Sequence, residues 1–222
     1  MMVDMACAIY GFTTVPLYDT LGPENISYVL NHSNVQSVFC SGDSCKTIAS
    51  TSDIGRLKVI ITFDPLSDEV SNLFEERGLK WFDFTDLLEM GGSRPHNIPK
   101  TLPENIVTFS YTSGTTGPPK AVMISQANFV SCCAILKTKP DVRFYPTDVY
   151  LSYLPLPHVL ERTYMYGMLS AGGQIWYIFF HNLAFTPAMS SDLKMISSSS
   201  SRQFLRVFRG YTTDSTTQLR GS

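Results

Sequence analysis

The chain has 222 residues, 44% of them hydrophobic and 16% charged, with 17 basic and 19 acidic side chains and a net charge of −2. A mean hydropathy of +0.02 and fewer charges than the roughly 25% usual for soluble domains describe a chain that folds, as one large domain or two small ones. Binding to nucleic acid depends on clustered Lys and Arg, and no basic run is present, so that class of partner is excluded.

The opening Met1-Met2-Val3-Asp4-Met5-Ala6-Cys7 lacks the basic end and continuous apolar stretch of a secretion signal. Pro23-Glu24-Asn25 starts a helix that runs to about Leu30, with Pro in the first turn and an acid at the positive end of the dipole. Residues 35–40 read as a strand. Residues 57–63 read as a stronger one, β-branched and nearly all apolar, as buried parallel strands are. A helix over Asp68 to Arg77 follows and stops at Gly78. Residues 81–84 form a short strand, and Gly91-Gly92-Ser93-Arg94-Pro95 is loop chemistry.

Ile106 to Tyr111 is a strand leading into a Gly/Thr/Pro-rich loop, and Ala121 to Ile124 resumes extended structure. Ser125 can cap a helix over Gln126 to Leu136. Residues 148–154 read as a strand ended by Pro155 and Pro157, followed by a helix near Val159 to Leu169 and a strand near Gln174 to Phe179. The apolar stretch from Tyr164 to Phe180 holds Gly167, Gly172, Gly173 and Gln174. It falls short of the roughly 20 apolar residues of a spanning helix and reads as a buried helix and a strand. This alternation argues for an α/β domain with a mostly parallel sheet flanked by helices. From Ser197 the chain is Ser- and then Thr-rich without a period, and is expected to be disordered or foreign to the preceding domain.

Five cysteines, an odd number that includes the adjacent Cys132 and Cys133, read as reduced thiols in a cytosol-facing protein. Cys40 and Cys45 have no second pair to complete a zinc site, and His32, His96, His158 and His181 lack ligand spacing.

The chemistry concentrates in Tyr111-Thr112-Ser113-Gly114-Thr115-Thr116-Gly117-Pro118-Pro119-Lys120. Gly114 and Gly117 let backbone N–H groups approach an anion without a Cβ in the way; Ser113, Thr115 and Thr116 offer hydroxyl donors, and Lys120 supplies a compact cation. A Walker-type loop requires Gly-Lys-Ser/Thr at its end, whereas Gly117 is followed by Pro118-Pro119-Lys120-Ala121, so that reading fails on spacing. An exposed polar turn would explain a Gly/Thr/Pro cluster in general, but not the lysine and hydroxyls together.

This stretch resembles the signature loop of the adenylate-forming superfamily, in which the loop closes over the phosphates of ATP while a carboxylate attacks the α-phosphate. Residues 15–24, Val-Pro-Leu-Tyr-Asp-Thr-Leu-Gly-Pro-Glu, and the segment Leu154-Pro155-Leu156-Pro157-His158-Val159-Leu160-Glu161-Arg162 are similar to segments of the long-chain acyl-coenzyme A synthetases. Pro157 stands where that family usually has Ala. The resemblance implies that residues 1–196 are part of the large N-terminal domain of such an enzyme, and 197–222 a separate tail. It further implies phosphate-contact roles for Thr112, Ser113, Thr115, Thr116 and Lys120, with Gly114 and Gly117 lending flexibility, and a place for His158 beside the acyl-adenylate. Taken alone, His158 would be a loop residue satisfied by a backbone partner. Glu161 and Arg162 read as a structural pair, Tyr18 and Asp19 as structural, with Asp19 capping a turn.

The implied reaction joins a fatty acid to coenzyme A at the expense of ATP, giving acyl-coenzyme A, AMP and pyrophosphate. Its Mg²⁺-binding acid, ribose-binding Asp and the Lys of a small C-terminal domain are expected outside these 222 residues. The chain is therefore expected to be inactive alone, or to act as a nucleotide-binding fragment. The family also implies a cytosol-facing location at the endoplasmic reticulum or mitochondrial outer membrane, with the membrane anchor expected outside this chain.

Overall fold

A computed structural model describes residues 1–18, 21–112 and 118–177. Asp19, the end of the strand expected near Phe179 and the tail from Ser197 lie outside the described residues. The chain clusters into two compact units, Met1–Phe129 and Val130–Ser222.

In the first unit, α1 (Met2–Tyr10) precedes α2 (Pro23–Ser33). Helix α2 continues past the expected end at Leu30 until Asn34 adopts a left-handed φ of 54° and turns its N–H back to the Asn31 carbonyl. Strands β1 (Ser37–Cys40), β2 (Val59–Thr62) and β3 (Lys80–Asp83) form a parallel sheet in the order β1-β2-β3. Cys40 pairs with Thr62, and Thr62 with Asp83. Parallel neighbours need crossovers, and helices α3 (Gly42–Ser50) and α4 (Asp68–Glu76) supply them.

The core of this unit joins Ile26 and Leu30 of α2, Cys45 and Ile48 of α3, Ile60 of β2, and Val70 and Phe74 of α4. Three of the four residues of β2 are buried, which is why residues 57–63 read as a near-continuous apolar run. Arg77, just after α4, donates to the carbonyls of Ile48 (3.3 Å), Ala49 (2.8 Å) and Ser52 (3.1 Å). It thus satisfies the orphaned carbonyls at the end of α3 with a cation, as the helix dipole favours.

Two helices depart from the sequence expectation. Helix α3 was not expected, although Ser41 caps it by accepting from the Ser44 N–H at 3.4 Å and its buried residues fall at i, i+3. Helix α5 (Phe84–Ser93) takes in Gly91, Gly92 and Ser93, which the sequence assigned to a loop. No other atom lies within 4 Å of where a Cβ at either glycine would sit, so nothing opposes the last turn.

Strands β4 (Ile106–Thr112) and β5 (Lys120–Ser125) form an antiparallel hairpin. Thr14 pairs with β4: its N–H reaches the Val107 carbonyl at 3.0 Å and its own carbonyl accepts from Phe109 N–H at 2.9 Å. Ser125 starts α6 (Gln126–Thr138) as expected, its Oγ accepting from Asn128 N–H at 3.2 Å while Asn128 Oδ1 accepts from the Ser125 N–H at 3.2 Å. That reciprocal pair is a capping box with Asn in the third position.

In the second unit, β6 (Val149–Ser152) and β7 (Gln174–Tyr177) pair in parallel around helix α7 (Val159–Ala171). Leu136, Phe144, Tyr150, Met165 and Met168 form its core. No helix among the described residues is long and apolar enough to cross a membrane. The turn from α7 to β7 requires both glycines: Gly172 sits at φ 79°, and a Cβ on Gly173 would meet Met168 Sδ and come within 3.0 Å of the Asp148 carbonyl oxygen.

Candidate functional site

The hairpin sets the two ends of the Gly/Thr/Pro-rich segment directly against each other. Thr112, the last residue of β4, pairs with Lys120, the first of β5, and the Thr112 hydroxyl donates to the Lys120 carbonyl at 3.4 Å. Ser113, Gly114, Thr115, Thr116 and Gly117 lie outside the described residues. Lys120 is solvent-exposed and makes no ion pair among the described residues. It is also the only charged residue between Ile106 and Ser125. A hydroxyl-bearing residue and a lysine without an ion pair among the described residues, facing each other across the ladder at the ends of a glycine-rich segment, suit a phosphate.

One residue before Thr112, the Tyr111 hydroxyl lies 2.7 Å from Nδ1 of His32 on α2. The two rings meet edge to face at 5.9 Å, and His32 stacks on Tyr28 at 5.3 Å. Burial, reinforced by Tyr28, raises the Tyr111 hydroxyl above its ordinary value, against a lowering by Ser33. The phenol therefore keeps its proton through the neutral range. Tyr111 belongs to the contiguous motif, whereas His32 lies 79 residues away and no local pattern links the two.

His158 lies in the second unit, at the N-terminus of α7. Its Nδ1 accepts the Leu160 N–H at 3.2 Å, which is the backbone partner expected of a loop histidine and makes it the cap of the helix. Glu161 and Arg162 are buried. Glu161 is bonded by Tyr150, whose hydroxyl donates to Oε2 at 2.6 Å, while Oε1 is buried without a partner among the described residues. Burial first, and then this bond to the carboxylate, push the Tyr150 hydroxyl well above its ordinary range.

A cleft of about 390 Å³ opens elsewhere in the first unit, between Gly42, Asp43, Lys46, Asp64 and Ser67. Asp43 already pairs with Lys46 at 3.4 Å, and Asp64 accepts the Gly42 N–H at 2.8 Å. Two carboxylates make it a poor place for a phosphate. Among the described residues no group of three or more His, Cys, Asp or Glu side chains is placed to hold a metal ion.

Residues 1–196 match a family described as AMP-binding enzyme. The chain belongs to that family. It is 31% identical over 211 residues to the peroxisomal long chain acyl-CoA synthetase 6 of Arabidopsis thaliana, covering 95% of this chain and 30% of the relative. It is 38% identical over 163 residues to the peroxisomal synthetase 7 of the same plant, covering 73% of this chain and 23% of that one. With long-chain-fatty-acid–CoA ligase 5 of Rattus norvegicus it shares 35% over 180 residues, which is 78% of this chain and 26% of that one. The chain thus spans 30% or less of the length of these relatives.

Among solved structures, the adenylation domain of a carboxylate reductase from Mycobacterium chelonae matches with a TM-score of 0.68 at 22% identity, over 82% of this chain and 30% of that one. A putative long-chain-fatty-acid CoA ligase from Rhodopseudomonas palustris matches at 0.67 and 22%, over 86% and 43%. At these identities the match shows the fold, which is that of α/β adenylate-forming domains.

Proposed function

We propose that this AMP-binding chain serves a long-chain fatty acid–CoA ligase and that its β4–β5 hairpin contacts the phosphates of ATP. The observation that carries the reading is the register that sets Thr112 opposite Lys120, which has no ion pair among the described residues, at the two ends of Ser113–Pro119. The names of its relatives supply the substrate class: a long-chain fatty acid, with coenzyme A as acceptor.

In the first step a fatty carboxylate oxygen attacks the α-phosphorus, the bond to pyrophosphate breaks, and an acyl-adenylate forms. In the second, the thiol of coenzyme A attacks the acyl carbonyl and AMP leaves. Both partners of the first step are anions, so fixed positive charge and donors at the phosphates lower the barrier by positioning and electrostatics. Thr112, Ser113, Gly114, Thr115, Thr116, Gly117 and Lys120 carry that role in this reading, and His158 sits near the acyl-adenylate. Mg²⁺, when bound, would neutralise further phosphate charge. Residues 1–196 would belong to this domain, with 197–222 apart from it. The free state of all five thiols supports a cytosol-facing protein, as the expected location at the endoplasmic reticulum or mitochondrial outer membrane requires.

The test is Lys120→Ala and Thr116→Val in the protein that carries this segment, read by fatty-acid-dependent exchange of pyrophosphate into ATP. Loss of one preorganised donor or charge is expected to slow exchange about 10²-fold with the unfolding midpoint retained. Unchanged exchange in both variants removes the phosphate reading.

A further inference from the structure

We infer that His32 is a positioning residue for the phosphate hairpin, acting through Tyr111. The inference rests on the phosphate-binding reading and adds to it what holds the mouth of the hairpin in place. Tyr111 is paired across the hairpin with Ala121, next to the Thr112–Lys120 pair. At that end the cross-strand side-chain bond is long, 3.4 Å from Thr112 to the Lys120 carbonyl, and β5 leaves Val122 and Met123 exposed. The hairpin therefore has little packing of its own on that side.

Helix α2 is well anchored, with Ile26, Val29 and Leu30 buried. On its outer face Tyr28 and His32 stand one turn apart and stack, which restrains the imidazole. The 2.7 Å bond from His32 Nδ1 to the Tyr111 hydroxyl and the edge-to-face contact of the rings then tie the end of β4 to that helix. With Nδ1 unprotonated, the phenol donates and the imidazole accepts. Holding Tyr111 fixes the backbone one residue before Thr112, and through the ladder it fixes the backbone of Lys120. A catalytic hairpin displaced by even about 1 Å loses rate steeply. His32 touches neither phosphate nor substrate in this account, and its effect passes through the strand.

The experiment uses the protein that carries this segment and native-state trypsin cleavage after Lys120, with the cut after Lys46 as an internal control. Cleavage of a folded chain follows the population of the locally opened form. His32→Ala and Tyr111→Phe are each expected to speed the cut after Lys120 about two- to tenfold, the worth of one net hydrogen bond, without changing the Lys46 cut or the unfolding midpoint. Because the two residues act through one bond, the double variant is expected to be no faster than the faster single one. His32→Asn, which keeps an acceptor near the position of Nδ1, is expected to restore the wild-type rate.

A second arm adds ATP with Mg²⁺, which is expected to slow the Lys120 cut in the wild type and to do so less in His32→Ala and Tyr111→Phe. Unchanged cutting in both single variants, additive effects in the double, or equal protection by ATP in wild type and variants overturns the role of His32 and leaves the phosphate reading standing. Absence of ATP protection in the wild type overturns the phosphate reading itself, and with it the functional part of this inference. If His32→Ala fails to fold, Tyr111→Phe, which keeps the ring, decides the matter alone.

Discussion

Replacing Tyr150 by Phe removes one hydroxyl and almost nothing else. The ring's stacking on Tyr164 at 5.7 Å and 13° and its contact with Phe144 at 6.4 Å do not involve the oxygen. What is lost is the 2.6 Å bond to Oε2 of Glu161. Glu161 is 0% exposed and its Oε1 already lacks a partner among the described residues, so both oxygens of a buried carboxylate would be left unpaired there. A hydrogen bond to a charged group contributes about 1.5–3 kcal/mol, and a buried charge stripped of its last partner costs more, so Tyr150→Phe is expected to destabilise by ~2–4 kcal/mol. Tyr150→Phe with Glu161→Leu removes both polar groups and is expected to recover part of that loss. Denaturant unfolding followed by circular dichroism measures each.

The pH dependence gives an independent reading of the same bond. The folded-state value of Tyr150 is raised above its ordinary 10.0, so its contribution to stability is complete below pH 10 and is lost as pH climbs toward the folded value. Tyr150→Phe should therefore lose less stability than the wild type between neutral pH and pH 11. A single variant within 0.5 kcal/mol of the wild type, or an identical alkaline slope, would refute the reasoning; such a small change is what surface substitutions give.

Three further outcomes are expected. Arg77→Ala removes three bonds of 2.8 to 3.3 Å from the end of α3 and should cost about 1–2 kcal/mol of stability in denaturant unfolding. Gly173→Ala forces a Cβ to 3.0 Å from the Asp148 carbonyl oxygen and against Met168 Sδ, and should cost about 1–3 kcal/mol in the same assay. The thiol of Cys133 is pushed up to about 11, first by burial and then by its neighbour Cys132. At pH 8 only about 0.1% of it is thiolate, so a thiol reagent followed by peptide mass spectrometry should find the exposed Cys132 modified well before Cys133.

What could be read from the sequence follows how local the signals are. β2 announced itself because a parallel strand buried on both faces is apolar almost throughout, and α4 because Gly78 ends it at φ 69°. Ser125 was legible as a cap because its partner Asn128 is only three residues away. Helix α3 was missed because Gly42-Asp43-Ser44 reads as a turn until Cys45 and Ile48 are seen to be buried together. Helix α5 was missed because Gly91 and Gly92 count against a helix unless nothing crowds them. At the candidate site, Thr112 and Lys120 stand out as candidates because their motif is contiguous, and the hairpin pairs them. The tie between Tyr111 and His32 was not legible, since no periodicity in one chain links residues 79 apart. Nor was the bond from Tyr150 to Glu161, which depends on how β6 lies against α7.

If Lys120 contacts phosphate as proposed, the hairpin makes that lysine matter more than the lysine of a loop that opens a helix. A Walker-type loop gains roughly half a unit of positive charge from the helix N-terminus that receives its phosphates. Here the segment after Thr112 returns into strand β5, and the next helix, α6, starts only at Gln126, beyond the far end of that strand. Five strand steps at about 3.3 Å each place the α6 N-terminus roughly 17 Å along the chain from Lys120, beyond the ~10 Å over which salt lets such a partial charge act. No other charged residue lies between Ile106 and Ser125. On the proposed reading, positive charge at the phosphates would therefore fall, within the hairpin, to one exposed side chain, carried on a two-stranded ladder rather than on a helix. A flexible cation is only as well placed as the backbone beneath it, which is why the tie from Tyr111 to α2 and the charge of Lys120 belong to the same device.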